Sequence, residues 1–162
     1  MMGRMRFTHT MTYDAPVAEV GAMLDDPAYR DEVIAAQGST SGTATFEQDG
    51  DTVVVVVDVV QPADGIPGYA RKFVGDEINV VQREEWTSAE HADLHVTIPG
   101  KPGQLVGSIE LTEDGGTTTE TVDAEITVSI PLVGGKIEKL IGSLLVKALR
   151  AEEKVARDYL SR

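Results

Sequence analysis

The chain of 162 residues contains no cysteine, which removes disulfides, thiolate catalysis and cysteine-ligated zinc together. Aromatics are sparse, at 5%, and cations are outnumbered: Lys and Arg total 14 against 27 Asp and Glu, a net charge of −13. A surface so acidic argues against nucleic acid, whose binding needs clustered cations to displace counterions, and against docking on anionic membranes. Solubility alone accounts for the charge, so no cationic partner follows from it. Long apolar runs are missing too. Val53–Val57 and Leu144–Val146 are far shorter than the roughly 20 residues that span a bilayer. Met1–Phe7 holds Arg4 and Arg6 with no apolar run behind them, so no signal peptide is visible and a cytoplasmic protein is expected. Histidine is scarce. His91 and His95 are four apart, but across a turn and into a strand this spacing makes no shared ligand site, and His9 is distant. No metal and no cofactor are expected. No Gly-x-Ser-x-Gly elbow and no phosphate-loop pattern occur.

What remains is strongly patterned. Arg4–Tyr13 alternates, with Phe7, His9, Met11 and Tyr13 on one face and threonines and Arg6 on the other, as a half-buried strand does. Asp14 is placed to cap a helix opening at Ala15-Pro16, with Val17, Val20, Met23 and Leu24 on its inner side. Asp26-Pro27 breaks it, and a second short helix over Ala28–Ala36 ends at Gly38. Strands follow over Thr40–Glu47 and Thr52–Val60, turned at Asp49-Gly50. The second is nearly all valine and reads as central, covered on both faces. Pro62–Gly68 is a loop, and the segment from there to Val74 suits helix and strand equally. Ile78–Thr87, Ala92–Ile98, Gln104–Thr112 and Thr118–Ile130 read as four more strands. In the last, Val122, Ala124, Ile126, Val128 and Ile130 share one face. Short turns between sequential strands give antiparallel pairing, and the whole reads as a single α+β domain, 1–162.

Gly134–Arg162 is the most informative stretch. Ile137, Leu140, Ile141, Leu144, Leu145, Ala148 and Leu149 recur at the i, i+3, i+4, i+7 spacing of a helix lying on something apolar. Ala151–Arg162 carries enough charge to be a mostly solvated continuation. Gly142, inside this helix, costs roughly 1 kcal/mol relative to alanine, which points to close packing against a strand or a ligand.

This order of elements, with Tyr13-Asp14-Ala15-Pro16, Val20, Leu24, Asp26-Pro27, Trp86 and the run Val128–Glu138, resembles the START-like superfamily, also called the polyketide cyclase/dehydrase and lipid-transport group. The run at the head of the last helix is similar to an uncharacterised bacterial branch of it. The resemblance covers nearly the whole chain and implies the helix-grip fold. In that fold a long C-terminal helix crosses the concave face of a seven-stranded antiparallel sheet, and two short helices follow the first strand. It also implies a hydrophobic ligand held between sheet and helix.

On that basis the expected ligand contacts are Phe7, His9, Met11, Trp86, Val96, Ile109, Ile126 and Val128 from the strands. Leu140, Ile141, Leu144, Leu145 and Ala148 supply them from the helix. Pro62–Gly68 and Pro99–Gly103 are the expected rim loops. Candidates for acid–base chemistry are His9, Tyr13 and Glu84. The favoured reading of His9 is structural, a core histidine whose nitrogens are satisfied locally or an end-of-strand residue reached by water. For Ile78–Thr87, polar groups turn inward whichever face is buried. If Trp86 is inward, Gln82 and Glu84 come with it, and burial would raise the Glu84 pKa. The simpler reading leaves the middle of that strand wet, with Trp86 alone as anchor. With so few catalytic groups, binding or carriage of a hydrophobic or amphipathic small molecule is favoured. A cyclase- or dehydratase-like enzyme and a protein-interaction module of the chaperone-regulator kind are the alternatives.

Overall fold

A computed structural model describes residues 3–162. Seven strands, β1 (Gly3–Tyr13), β2 (Ser41–Asp49), β3 (Thr52–Pro62), β4 (Glu77–Trp86), β5 (His91–Thr97), β6 (Gly103–Asp114) and β7 (Thr117–Val128), form one sheet. Its order is β1-β7-β6-β5-β4-β3-β2, with every pairing antiparallel. Helices α1 (Val17–Leu24) and α2 (Pro27–Ala36) follow β1, α3 (Gly68–Val74) lies between β3 and β4, and α4 (Gly134–Leu160) comes last. The fold is the α+β helix-grip.

The register places alternate side chains in lines across the concave face. One line runs Phe46, Val55, Glu84, Leu94, Gly107, Ala124, Phe7; the next runs Val53, Trp86, Ala92, Ile109, Val122, His9. These phases carry most of the core, and α4 packs on them over β1 and β7. Gly107 is where two strands approach most closely. A Cβ there would stand 2.1 Å from the Asp123 carbonyl oxygen and 2.4 Å from the Ala124 Cα. The β6–β7 turn needs φ above zero at both central positions, and Gly115 (+61°) and Gly116 (+83°) supply it.

Several expectations change. Asp14 caps nothing: Pro16 is the N-cap of α1, and the free Val17 N–H donates instead to Glu113 of β6 at 2.7 Å. Asp26, read as a breaker, caps α2 by accepting from Ala28 N–H at 2.9 Å, with Pro27 in the first helical turn. β3 is not central but next to the β2 edge, and its outward valines Val54 and Val56 stay partly exposed because no layer covers the convex face there. The undecided stretch before Val74 is helix α3. The C-terminal half of α4 is not a solvated tail. Ala156 is fully buried, Tyr159 stacks edge-on against Tyr29 at 5.7 Å and donates to Asp26 at 2.5 Å, and Arg157 donates to the Thr12 carbonyl at 3.3 Å. The charges that suggested solvent instead clamp the helix to α2 and to the end of β1.

Candidate functional site

The space gripped between sheet and α4 has two chemically different ends. At the end where α1, α2 and the last turns of α4 converge, ionisable groups from five elements meet. Arg30 of α2 forms two parallel hydrogen bonds to Glu84 of β4, both 2.9 Å, and its Nε donates to the Leu24 carbonyl at 2.8 Å. Trp86 Nε1 and Gln82 Nε2 also donate to Glu84, at 2.9 and 2.6 Å. A carboxylate with four charge-assisted or polar donors is stable inside a protein, as an isolated one is not. Burial opposes ionisation of Glu84, but the guanidinium and the other donors outweigh it and hold its pKa below the ordinary carboxylate value. The wet-strand reading is therefore wrong, and so is the expected upward shift. The partner that reverses the sign lies 54 positions away in sequence.

Beside this pair, Tyr13 of β1 donates to Glu120 of β7 at 3.1 Å, both side chains buried. Glu152 of α4 faces them, partly buried. Desolvation raises Glu120 to about 8, reinforced by repulsion from Glu152 and Glu84. Desolvation also raises Glu152, to about 7, against the pull of Arg30. Burial pushes the Tyr13 and Tyr29 hydroxyls well up, so both remain protonated. The Tyr29 hydroxyl is buried and faces the Glu152 carboxyl without completing a hydrogen bond of ordinary geometry, and Nε2 of His9, which stacks on Phe7 midway along the trough, is buried with no partner among the described residues. His9 is thus not the locally satisfied core histidine. These are the polar atoms that the fold leaves open.

At the other end the lining is apolar. Ile66, Ala70, Phe73, Ile98, Val128, Ile130 and Ile137, with Leu140, Ile141 and Leu144 of α4, surround a hollow of about 80 Å³. The β5–β6 connection closes one side with Lys101, Pro102 and Gly103, whose far side borders an open depression of about 450 Å³. Glu138 is buried here without contributing charge to the hollow, because it turns back to accept from Val128 N–H at 2.9 Å. Gly142 lets α4 sit close to β1: a Cβ would meet Met5 Cε at 2.7 Å.

A family model described as "Protein of unknown function (DUF2505)" matches residues 8–160. The chain belongs to this family. The uncharacterised protein Rv0481c of Mycobacterium tuberculosis is 29% identical over 113 residues, 65% of this chain and 64% of that protein. The match thus spans less than two thirds of the curated relative. Among solved structures, TTHA0849 from Thermus thermophilus superposes with a TM-score of 0.66 at 16% identity, covering 95% of each chain. The ZhuI aromatase/cyclase from Streptomyces sp. R1128 gives 0.67 at 14%, covering 99% of this chain and 95% of that one. A START superfamily protein from Mycobacterium smegmatis gives 0.62 at 13%, covering 97% and 99%. At such identities the likeness establishes the fold, START-like, and leaves function to the site.

Within this family member, the expected contact residues divide. Val128, Leu140, Ile141 and Leu144 line the hollow, and Leu144 is 41% exposed. Phe7, Met11, Trp86, Ile109 and Ile126 are packed core, while Val96, Leu145 and Ala148 are partly buried beside it. Of the three acid–base candidates, Tyr13 and Glu84 fall in one polar cluster and His9 lies apart from it. Arg30, Tyr29, Glu120 and Glu152 were not among the expected site residues. Glu120 sits on the same alternation as Val122 and Ala124, Glu152 on the α4 stripe between Leu149 and Ala156, and Arg30 on the α2 face with Val33 and Ile34. A charged residue on an apolar phase was the available signal.

Proposed function

We propose that the chain binds or carries a hydrophobic or amphipathic small molecule between α3, the N-terminal half of α4 and the sheet. The observation that carries this reading is the hollow lined by Phe73, Ile130, Leu140, Ile141 and Leu144, where Leu144 of the α4 stripe is exposed. Its 80 Å³ is small against the roughly 300–1,000 Å³ of typical ligand pockets. Binding therefore requires α3 and the first turns of α4 to move apart, and the trough beneath offers His9 Nε2 as a polar contact. Fluorescence of an apolar naphthylamine probe is expected to rise on adding the protein. Ile141→Trp, which fills the hollow, is expected to weaken that binding at least tenfold. A wild-type protein that neither binds the probe nor retains any adduct in native mass spectrometry overturns the reading.

A second reading is favoured by a separate observation: Glu84 is pulled down while Glu120 and Glu152 are pushed up. Such separation of neighbouring carboxyl pKa values is what general acid–base work needs. In this reading Glu120 exchanges a proton with a ligand that reaches the closed end, and Tyr13 orients its carboxyl by the hydrogen bond it donates. The test is turnover of aromatic or polyketide-like carbonyl compounds, lost in Glu120→Gln with probe binding retained.

A further inference from the structure

Leu132, 96% exposed, is the most exposed large apolar side chain among the described residues. It stands at the tip of the turn from β7 into α4. Val133 N–H donates to the Pro131 carbonyl at 2.9 Å and Gly134 N–H to the Ile130 carbonyl at 3.0 Å, leaving Leu132 at φ +73°. A three-residue turn of this hand is rare and strained, and glycine would relieve it. The leucine therefore occupies a position that costs the fold backbone strain and returns no packing. Such outliers persist where the surroundings hold them for a purpose.

The surroundings are the rim of the hollow. Ile130 lines it, Val133 packs on Ala70, Val128 and Ile137, and Leu144 opens to solvent beside it. Around this rim the charge runs against that of the chain. Lys101 lines the hollow, Lys136 lies over the Tyr69 ring at 3.9 Å, Lys72 lies over Phe73 at 5.2 Å, and Arg71 and Lys139 are on the same two helices. The nearby carboxylates are Asp64, Glu77 and Asp76, the last paired with Arg71 at 3.4 Å, while Glu138 is turned inward.

We infer that this end of the molecule docks on an anionic lipid bilayer, Leu132 among the acyl chains and the lysines of α3, α4 and the β5–β6 connection at headgroup level. Exposed lysines whose ammonium groups lie over aromatic rings at an apolar rim suit that boundary. The net charge of −13 speaks against a membrane only if it is spread evenly, and at this rim it is not. One leucine and the edge of a small hollow fall short of the roughly 800 Å² per partner that a stable protein interface buries. The inference rests on the hollow as the ligand site: a mouth seated on a bilayer lets an apolar molecule pass without crossing water.

The test is flotation of the full chain with phosphatidylcholine vesicles, with and without about one third phosphatidylglycerol. Binding is expected to the anionic vesicles and to fade in high salt. Leu132→Gly is expected to lower it roughly tenfold or more, with a melting temperature no lower than wild type because φ is relieved. Lys101→Glu with Lys136→Glu is expected to abolish the preference for anionic lipid. Wild-type protein that fails to float, or floats equally with neutral vesicles, or a Leu132→Gly variant that floats like wild type, overturns the proposal; failure to float leaves a protein partner as the occupant. Naphthylamine probe binding without vesicles separates the two claims. Loss of probe binding strikes the hollow, and loss of flotation strikes the docking.

Discussion

Glu84 and Arg30 are each tolerable inside this protein only because of the other. Desolvating either charge alone costs several kcal/mol, and the pair offsets this through two-pronged geometry plus Trp86 and Gln82. Glu84→Ala is expected to destabilise by about 3–5 kcal/mol, since it strands a buried guanidinium. Arg30→Met with Glu84→Leu is expected to lose less than that single change, which denaturant titration of both variants checks. Glu120 and Glu152 make the opposite case. Their folded pKa values, about 8 and about 7, lie above the ordinary 4.5. The folded state then keeps protons that the unfolded chain gives up. That stability is complete below the ordinary carboxylate range and drains away as pH rises through 7 and 8. The melting temperature is expected to fall from about pH 4.5 to about pH 8, and Glu120→Gln to flatten the fall. A profile unchanged by that substitution would contradict the assignment. These residues were hard to read because their pairing was not visible: the alternation puts Glu84 and Glu120 on inner phases and the helical stripes do the same for Arg30 and Glu152, yet nothing local says which of them meet.

At the level of elements, α4 is two helices in function. Its first turns carry the apolar stripe and its last turns carry charge, and the periodicity made the first look gripped and the second free. Packing does not follow this division: Tyr159, Arg157 and Ala156 are tied to α2 and β1, and Ile137 and Gly142 are buried too, while Leu140 and Ile141 are partly buried and Leu144 is exposed. Hydropathy counts apolar atoms and cannot foresee that Asp26 and Thr12 would be waiting for a charged helix end. Strand existence, order and phase were legible, because period-2 alternation and short turns nearly dictate an antiparallel sheet. Two of the three close-approach glycines, Gly142 and Gly107, separate cleanly. Gly142→Ala is expected to change stability by less than about 1 kcal/mol, because helix propensity gains roughly that amount and Met5 Cε can swing aside. Gly107→Ala meets backbone on the neighbouring strand and is expected to cost about 3 kcal/mol or more. Thermal melts of the two variants distinguish them.

For the molecule as a whole, the sheet has a wet back and a divided front. Its convex face is laced with exposed pairs such as Arg6–Asp123 and Arg83–Glu85 and His91 between Asp93 and Glu110, which contribute little stability but keep that face from receiving another layer. The front holds charge at one end and oil at the other. Under the proposed carrier reading, the clustered ionic end fixes α4 and the apolar end is the one that opens. The resemblance to START-like proteins anticipated the grip. It could not anticipate a filled trough, because packing density between two surfaces is not written in the pattern of either. One consequence of the strand order concerns the chain's own manufacture. β1 is made before the other six strands, yet its only neighbour in the sheet is β7, and its end is pinned by Arg157 and Glu153 of α4. During synthesis Phe7, Met11 and Tyr13 leave the ribosome with nothing to lie against until β7 and α4 follow. Pairing of β1 therefore waits until the last strand has been made, and the grip closes only once α4 follows.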